Sequence, residues 1–446
     1  VEREQTIKDF VSRDYWEVHA TFQAGAGEYA GRWFDEGFKR DEDDAHKRAE
    51  RIWDLAKAGA IKTACEGQSG TVTEESKPSK QAPPLLFDLT TLQRDANSRF
   101  GFSARNTLAI AQALYERHKV CTYPRTDSKA LPEDYPTTVR KTLEQLAAGH
   151  YGQLADKVLK EGWLVPSNKR IFNNAKISDH FAIIPTLQAP KNLKEQEQKV
   201  YDLIVKRFLA VFYPSAEFEV TTRITRVQNE PFKTEGKVMT KPGWYEVYGR
   251  DQQGEMLTPV KSGETVKTTD IEVEGKETKP PARYSEATLL SAMEHAGRLV
   301  DDEELREAMS EKGLGTPATR ANIIEELIRH KYLVRENREL IPTAQAFQLI
   351  TLLNGLEVES LSKPELTGDW ENKLHEIERG KLDRDTFMNE IRSMTEEIVN
   401  RAKSYENDTI PGDYAELTTP CPKCDGLIKE NYRRFSCSKT DCDFDF

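Results

Sequence analysis

Two groups of residues in this chain have types and spacings that could do chemistry. The first is at the end of the sequence. Cys421 and Cys424 are separated by two residues, twelve residues separate Cys424 from Cys437, and four lie between Cys437 and Cys442. A two-residue spacing forms the knuckle that lets both sulfurs reach one tetrahedral ion, so the four thiolates read as a structural zinc site rather than as free or disulfide-bonded cysteines. A closed set of four thiolates leaves no open position and would not be catalytic. The second group is Cys121-Thr122-Tyr123-Pro124-Arg125-Thr126-Asp127-Ser128. A tyrosine two residues before an arginine is, by itself, a surface turn, with Asp127 and Ser128 capping the next helix or turn. A phenol ionises near pH 10, so as a nucleophile it needs a cation close by. Arg125 stands where it could supply one, with Pro124 fixing the backbone between the two.

Three further segments bear on which reading holds. Ile177-Ser178-Asp179-His180-Phe181-Ala182-Ile183-Ile184-Pro185-Thr186 carries one histidine in a compact polar and apolar run. Pro280-Pro281-Ala282-Arg283-Tyr284-Ser285-Glu286-Ala287-Thr288-Leu289-Leu290 leads on to Gly313-Leu314-Gly315-Thr316-Pro317-Ala318-Thr319-Arg320-Ala321-Asn322-Ile323-Ile324. In the latter, Gly315 and Pro317 make a tight entry to a helix capped by Thr319 or Thr316, whose N–H groups would face a phosphate, with Arg320 adding charge. The fourth is Leu361-Ser362-Lys363-Pro364-Glu365-Leu366-Thr367-Gly368-Asp369-Trp370-Glu371.

In content and order the four segments resemble the type IA DNA topoisomerases, on the bacterial topoisomerase III side. The Tyr-Pro-Arg-Thr-Asp-Ser run resembles their active-site motif, Ser178 to Thr186 their His-x-Ala-Ile-x-Pro-Thr segment, the third pair their strand-binding domain, and Thr367-Gly368-Asp369-Trp370-Glu371 an architectural element. The resemblance implies that Tyr123 attacks a DNA phosphodiester to give a 5′-phosphotyrosine. Arg125 would favour the phenolate and hold a phosphate oxygen, and His180 would lie near the scissile phosphate. Thr122, Ser178, Glu286, Thr319, Arg320 and Arg433 would contact the DNA strand. In the tail, Tyr432, Phe435 and the Arg433-Arg434 pair suit either gripping single-stranded DNA or packing around the metal.

The same resemblance implies a multidomain α+β toroid: a β-rich arch, helical domains of winged-helix character and a C-terminal zinc ribbon. It implies ATP-independent cleavage, passage and religation of single-stranded DNA, by a monomer with a helicase as cellular partner. The lack of a Gly-x-x-x-x-Gly-Lys-Ser/Thr run agrees with the absence of ATP chemistry. Members of the family begin with a Toprim domain whose acidic residues hold Mg²⁺. Asp41-Glu42-Asp43-Asp44 and Asp301-Asp302-Glu303-Glu304 read instead as solvated helix starts. The expectation is therefore a topoisomerase lacking Toprim, with a non-catalytic single-stranded DNA-binding fragment or subunit as the alternative. A tyrosine recombinase is disfavoured, because Tyr123 comes too early.

Composition and periodicity outline the scaffold around these residues. With 446 residues, 31% charged and 37% hydrophobic, the chain has material for several cores and no apolar run long enough to span a membrane. Its net charge of −11 excludes a global basic coat while allowing a local basic groove. The uneven cysteines point to a reducing compartment, the cytoplasm. Residues 1–85 read as a helix end, two aromatic strands in a hairpin (15–22 and 27–34), a charged helix from Asp41 to Ala58 with Ala45, Ala49, Ile52 and Leu55 on one face, and a Pro-containing linker from Glu74 to Pro84. Residues 86–205 read as a helical domain carrying Tyr123, with helices from Asp88, from the cap at Ser103 and near Thr137–Ala148. Residues 206–280 return to strands as a second pass of the arch. Residues 281–410 are helical again, with a helix capped at Ser285 and another over Thr319–His330, and 415–446 form a zinc ribbon that is cut short or followed by another.

Overall fold

The computed structural model describes residues 1–41, 44–249, 257–299, 313–405, 416–431, 434–439 and 441–445, with residues 303, 306 and 309. Six strands close into an antiparallel barrel: β1 (Asp14–Ala24), β2 (Gly27–Trp33), β3 (Ser69–Gln81), β4 (Ala216–Val227), β5 (Glu230–Lys241) and β6 (Thr265–Glu277), in the order β1-β2-β5-β4-β3-β6. Alternation decides which way each strand faces. In β2, Tyr29, Gly31 and Trp33 are buried while Glu28, Ala30 and Arg32 are exposed. Phe22, Tyr29 and Phe232 meet inside, with ring centroids 5.3 and 5.6 Å from Phe22. A Cβ at position 31 would lie 2.9 Å from the Phe22 ring, so the barrel wall needs glycine there.

Two expectations for residues 1–85 are corrected. The helix expected over Asp41–Ala58 starts only at Leu55: residues 44–54 are turns, bends and a bridge, and the helix is α2 (Leu55–Cys65), following α1 (Glu2–Lys8) in the chain. The charges that suggested a solvated helix are spent locally. Asp44 takes Arg13 at 2.8 Å and the His46 N–H, and Asp41 takes Lys47. Ile52 pairs with Trp16 in a strand-like bridge, which removes it from any helical face. The linker expected over Glu74–Pro84 is mostly strand, because β3 pairs with β4 along its length through Gln81. Pro78 is tolerated because β6 pairs with β3 only at residues 69–71. At Pro78 one flank of the strand has no partner, and a missing N–H costs nothing there. Pro83 and Pro84 do connect the barrel to the next region.

That region is helical: α3 (Leu89–Phe100), α4 (Ala104–Glu116), α5 (Pro136–Ala147), α6 (Gly152–Lys160) and α7 (Glu195–Ala210). Helix α7 carries the helical run beyond residue 205, where the sequence suggested a return to strands. Caps fall where side chains can supply them: Asp88 and Thr91 form a capping box at α3, and Ser103 accepts from the Asn106 N–H at α4. Leu86, Phe87, Leu89, Leu92, Leu114, Leu131, Ile204 and Phe208 form a single core with their neighbours. Each such side chain contributes about 1.5–3 kcal/mol on burial, which makes this body a rigid support for the loop that runs over it.

The third region starts at α8 (Glu286–Glu294), capped by Ser285 with Thr288 as expected. A helix over Pro317–Arg329 comes next, then a hairpin of Leu333–Glu336 with Glu339–Pro342, and helices over Ala344–Gly355, Pro364–Glu378 and Arg384–Lys403. Helix α1 docks on it through the Arg283–Glu4 ion pair at 2.8 Å and through Lys8 over the Phe347 ring. The run Asp301-Asp302-Glu303-Glu304 lies largely outside the described residues. No described helix is long and apolar enough to cross a membrane.

Candidate active site

The loop 120–130 has almost no regular structure, yet its backbone is firmly tied. It is laced to residues 176–186, which run alongside it. Cys121 bridges Pro185, the Thr122 N–H donates to the Ile184 carbonyl at 3.0 Å, and the Ala182 N–H donates to the Ala130 carbonyl. Hydroxyls close the gaps that the bridges leave. Thr122 Oγ1 donates to the Ala182 carbonyl at 2.9 Å and accepts from the Ile184 N–H at 3.0 Å. Thr126 Oγ1 donates to the His180 carbonyl at 2.7 Å, and Ser128 Oγ to the Lys176 carbonyl at 2.8 Å. The Thr126 carbonyl accepts from the Leu89 N–H, tying the loop to the start of α3. Buried polar groups paired in this way order a loop as firmly as a strand ladder would.

This lacing brings together residues far apart in sequence. The His180 ring lies against Tyr123, with centroids 4.3 Å apart, and Tyr115 on α4 meets Tyr123 edge-on at 5.4 Å. Lys119, at a φ of 58°, carries its ammonium over Tyr115 at 5.6 Å from the ring centroid. Arg125 reaches back to α4: with the Gln112 amide turned so that its oxygen rather than its NH₂ faces the guanidinium, which avoids donor facing donor, that oxygen accepts from Nε at 3.2 Å and Nη2 at 3.1 Å. Tyr123 and Arg125 are half-buried and His180 is exposed, so all three can meet a ligand from solvent. Ser178 is exposed and donates to Asp127 Oδ1 at 3.1 Å. The Thr122 hydroxyl is spent inside the lacing. Gln112, Tyr115 and Lys119 were not singled out from the sequence as site residues; the available signal was that the first two occupy the last turns of the helix immediately preceding the tyrosine motif and Lys119 the link from that helix to it.

Beside this site lies a partly buried charge network joining α3, the Tyr123 loop and the third region. Lys129 meets Asp88 at 3.2 Å and Glu294 at 3.1 Å, and Arg94 meets Glu294 at 3.3 Å. Burial pushes the Asp88 carboxyl up, against the nearby Lys129 charge. For Glu294 burial pushes the same way, but Lys129 outweighs it and holds the carboxyl below its ordinary value. Arg320 is 3% exposed and donates through Nε to the Leu314 carbonyl and through Nη1 to Thr90 Oγ1. Burial pulls its guanidinium down, opposed by the carboxylates of Glu294, Asp88 and Asp127 around it.

The other DNA contacts expected from the sequence are scattered. Glu286 is buried and accepts from the Ala104 N–H at the start of α4 and from Arg335 Nε, both at 2.6 Å. Arg320 and Glu286 thus sit inside, as ties between the third region and the helical body, rather than on a strand-facing surface. Thr319 is exposed and completes the box at the helix entry, where its Oγ1 accepts from the Thr316 N–H at 2.8 Å. Thr316 is the cap and Pro317 the first helical residue. Arg433, like Tyr432, lies outside the described residues.

At the end of the chain the four cysteines converge, with all sulfurs within 4.8 Å of one another. Cys421 and Cys442 sulfurs are 3.7 Å apart, and those of Cys424 and Cys437 are 3.3 Å apart. Four sulfurs around one ion at 2.3 Å would be about 3.8 Å apart, so this set could close on a metal with little movement. Gly426 is required here, since a Cβ would lie 2.8 Å from the Cys437 sulfur. A second group, Glu17, His19 and Glu274 on the barrel, is neutralised by Lys276, which meets both carboxylates at 2.8–2.9 Å. Among the described residues, neither of these two groups includes a neighbour of Tyr123, and the resemblance places the Mg²⁺ ligands in a Toprim domain rather than among these residues.

A family model described as DNA topoisomerase matches residues 1–389. The chain belongs to the type IA DNA topoisomerases. Within that family it is similar to DNA topoisomerase 3 of Bacillus cereus (strain ATCC 14579), at 38% identity over 442 residues, 95% of this chain and 57% of the relative. DNA topoisomerase 3 of Bacillus subtilis (strain 168) is 38% identical over 399 residues, 84% of this chain and 53% of the relative. The chain therefore spans little more than half the length of these topoisomerases. In structure it resembles full-length topoisomerase I from Thermotoga maritima, with a TM-score of 0.69 at 22% identity, over 100% of this chain and 68% of the other. The topoisomerase toroid expected from the sequence is thus the supported fold class.

Proposed function

We propose that this chain forms the strand-cleaving part of a type IA topoisomerase acting on single-stranded DNA in the cytoplasm. One observation carries the reading: the lacing of 120–130 to 176–186 gathers Tyr123, Arg125 and His180 at one accessible place. Tyr123 Oη gives up its proton as it attacks a backbone phosphorus, the P–O3′ bond breaks, and the released 3′ oxygen takes up a proton in exchange to leave as a hydroxyl, so no net proton is gained or lost. The phosphate stays on Tyr123 as a 5′-phosphotyrosine. Arg125 binds a non-bridging oxygen and balances the charge that develops on it. His180, packed on the tyrosine ring, meets the same phosphate from the exposed side. Attack by the 3′-hydroxyl reverses the step after another strand has passed. The phosphodiester's bond energy is kept in the phosphotyrosine, so no ATP is needed.

Helix entry 316–319, with two exposed hydroxyls and the Ala318 N–H at a helix N-terminus, suits a phosphate of the bound strand. The helix it opens and the hairpin behind it suit a winged-helix role. In the tail, soft sulfur donors in a closed set favour zinc, which would fold the ribbon without taking part in cleavage. A chelator should then free four thiols to a thiol reagent. Cys65 and Cys121 should stay silent, because burial pushes them up to about 11 and about 12.

The second reading is a non-catalytic single-strand binder. Relaxation of a negatively supercoiled plasmid by the full-length protein separates the two. Relaxation without ATP, lost in Tyr123→Phe, is the expected result. Relaxation that survives Tyr123→Phe, or that requires ATP, overturns the proposal.

A further inference from the structure

Gln112 has no part in the chemistry just described, yet it is the side chain that meets the Arg125 guanidinium. Its amide oxygen accepts from Nε and Nη2 together, at 3.2 and 3.1 Å. These two N–H groups lie along one side of the planar guanidinium. With that side occupied, the donors of Nη1 and the outer donor of Nη2 form the fork that points away from α4. Among the described residues, nothing accepts from Nη1.

We propose that Gln112 is a positioning residue for strand cleavage: it holds Arg125 by a neutral acceptor so that the Nη1/Nη2 end is presented, with its full charge, to a phosphate oxygen. The inference rests on the cleavage reading. Neutrality is the point of using an amide. A carboxylate at position 112 would hold the same edge more tightly, as Glu4 holds Nε and Nη2 of Arg283 at 2.9 and 2.8 Å. It would also cancel the charge that the phosphate needs. An apolar side chain would leave two donors facing a half-buried wall and let a long, flexible side chain wander. The support is rigid, since α4 is capped by Ser103 and Gln112 lies on the helix at the same face as Tyr115, three residues on. One helix face therefore braces both partners: Gln112 holds the arginine, and Tyr115 meets the ring of Tyr123 at 5.4 Å.

The test uses the full-length protein with Gln112→Leu and Gln112→Glu and two measurements. Covalent trapping of a labelled single-stranded oligonucleotide is timed at saturating protein, with affinity measured separately by fluorescence anisotropy. Hydrogen exchange at the Arg125 Nε–H, assigned with Arg125→Lys, is read from ¹⁵N-arginine spectra. Both variants should slow trapping at least tenfold while affinity stays within twofold. The Nε–H should exchange fast in Gln112→Leu but stay protected in Gln112→Glu, because the carboxylate keeps the bond and removes only the charge. A merely structural glutamine would not produce that split. Trapping at the wild-type rate in Gln112→Glu, or exchange unchanged by Gln112→Leu, overturns the proposal. Arg125→Ala trapping at the wild-type rate would instead overturn the cleavage reading, and the exchange measurement would still decide the bracing.

Discussion

The Tyr123 loop and the Glu286–Arg335 stretch contain the same kinds of residue put to opposite uses. In the loop, buried hydroxyls and backbone groups carry the structure, and the charged and aromatic side chains of Tyr123, Arg125 and His180 are left at the surface. In the later stretch the charged side chains of Glu286 and Arg320 are themselves buried. Glu286 caps α4, and Arg320 reaches Thr90 at the start of α3. A charge taken into a protein interior has its donors or acceptors matched to fixed partners. Function and stability should therefore separate between the two regions.

The largest expected effect is on stability. Arg320→Ala or Glu286→Ala each removes one side of a buried, charge-assisted contact and should cost about 3 kcal/mol in urea unfolding. Either variant losing cleavage without losing stability would remove the contrast. Next comes Arg125→Ala, which should slow covalent trapping about 100-fold, the usual cost of one donor to a developing oxyanion, with an unchanged unfolding midpoint. Between the two classes lies Thr126→Val. Its hydroxyl is buried and donates to the His180 carbonyl, so the variant should lose about 1–2 kcal/mol of stability and, through the displaced His180, part of the trapping rate. Full activity in a clearly destabilised Thr126→Val would show that the lacing does not set the position of His180.

The smallest effect is with pH. Arg283, hydrogen-bonded to Glu4, holds that carboxyl below its ordinary value. A depressed carboxyl contributes stability at pH above its unfolded value, about 4.3, and loses it as pH falls through the lower folded value. Docking of α1 should thus loosen only below about pH 4, with less than about 1 kcal/mol at stake, seen as faster amide exchange in residues 2–8. Exchange there that is already fast at pH 7 would contradict the contact.

The sequence carried the chemistry further than the packing. The convergence of the four cysteines was readable because short-range spacing alone constrains it, whereas Tyr123 with Arg125 stood out through the family resemblance of their motif. That His180 belongs with Tyr123 came only from resemblance, since 57 residues separate the two positions and the lacing that joins them is made by backbone bridges and hydroxyls with no periodic signature. Arg320 and Glu286 looked like surface charges because burial of an ion depends on partners such as Thr90 and Ala104, about 200 residues away in sequence. The helix expected at Asp41–Ala58 failed for a similar reason, as Ile52 pairs with Trp16 across the barrel. Strand β3 was hidden by Pro78, which the free flank of the strand tolerates.

The most direct measurement gives the full-length protein a single-stranded oligonucleotide labelled at its 5′ end in one sample and at its 3′ end in another. Each is denatured, and label remaining on the protein is counted, with Tyr123→Phe as control. If Tyr123 attacks as proposed, the label lying 3′ of the break stays on the protein and disappears in Tyr123→Phe. Capture of the 5′ label, or capture that survives Tyr123→Phe, would contradict it.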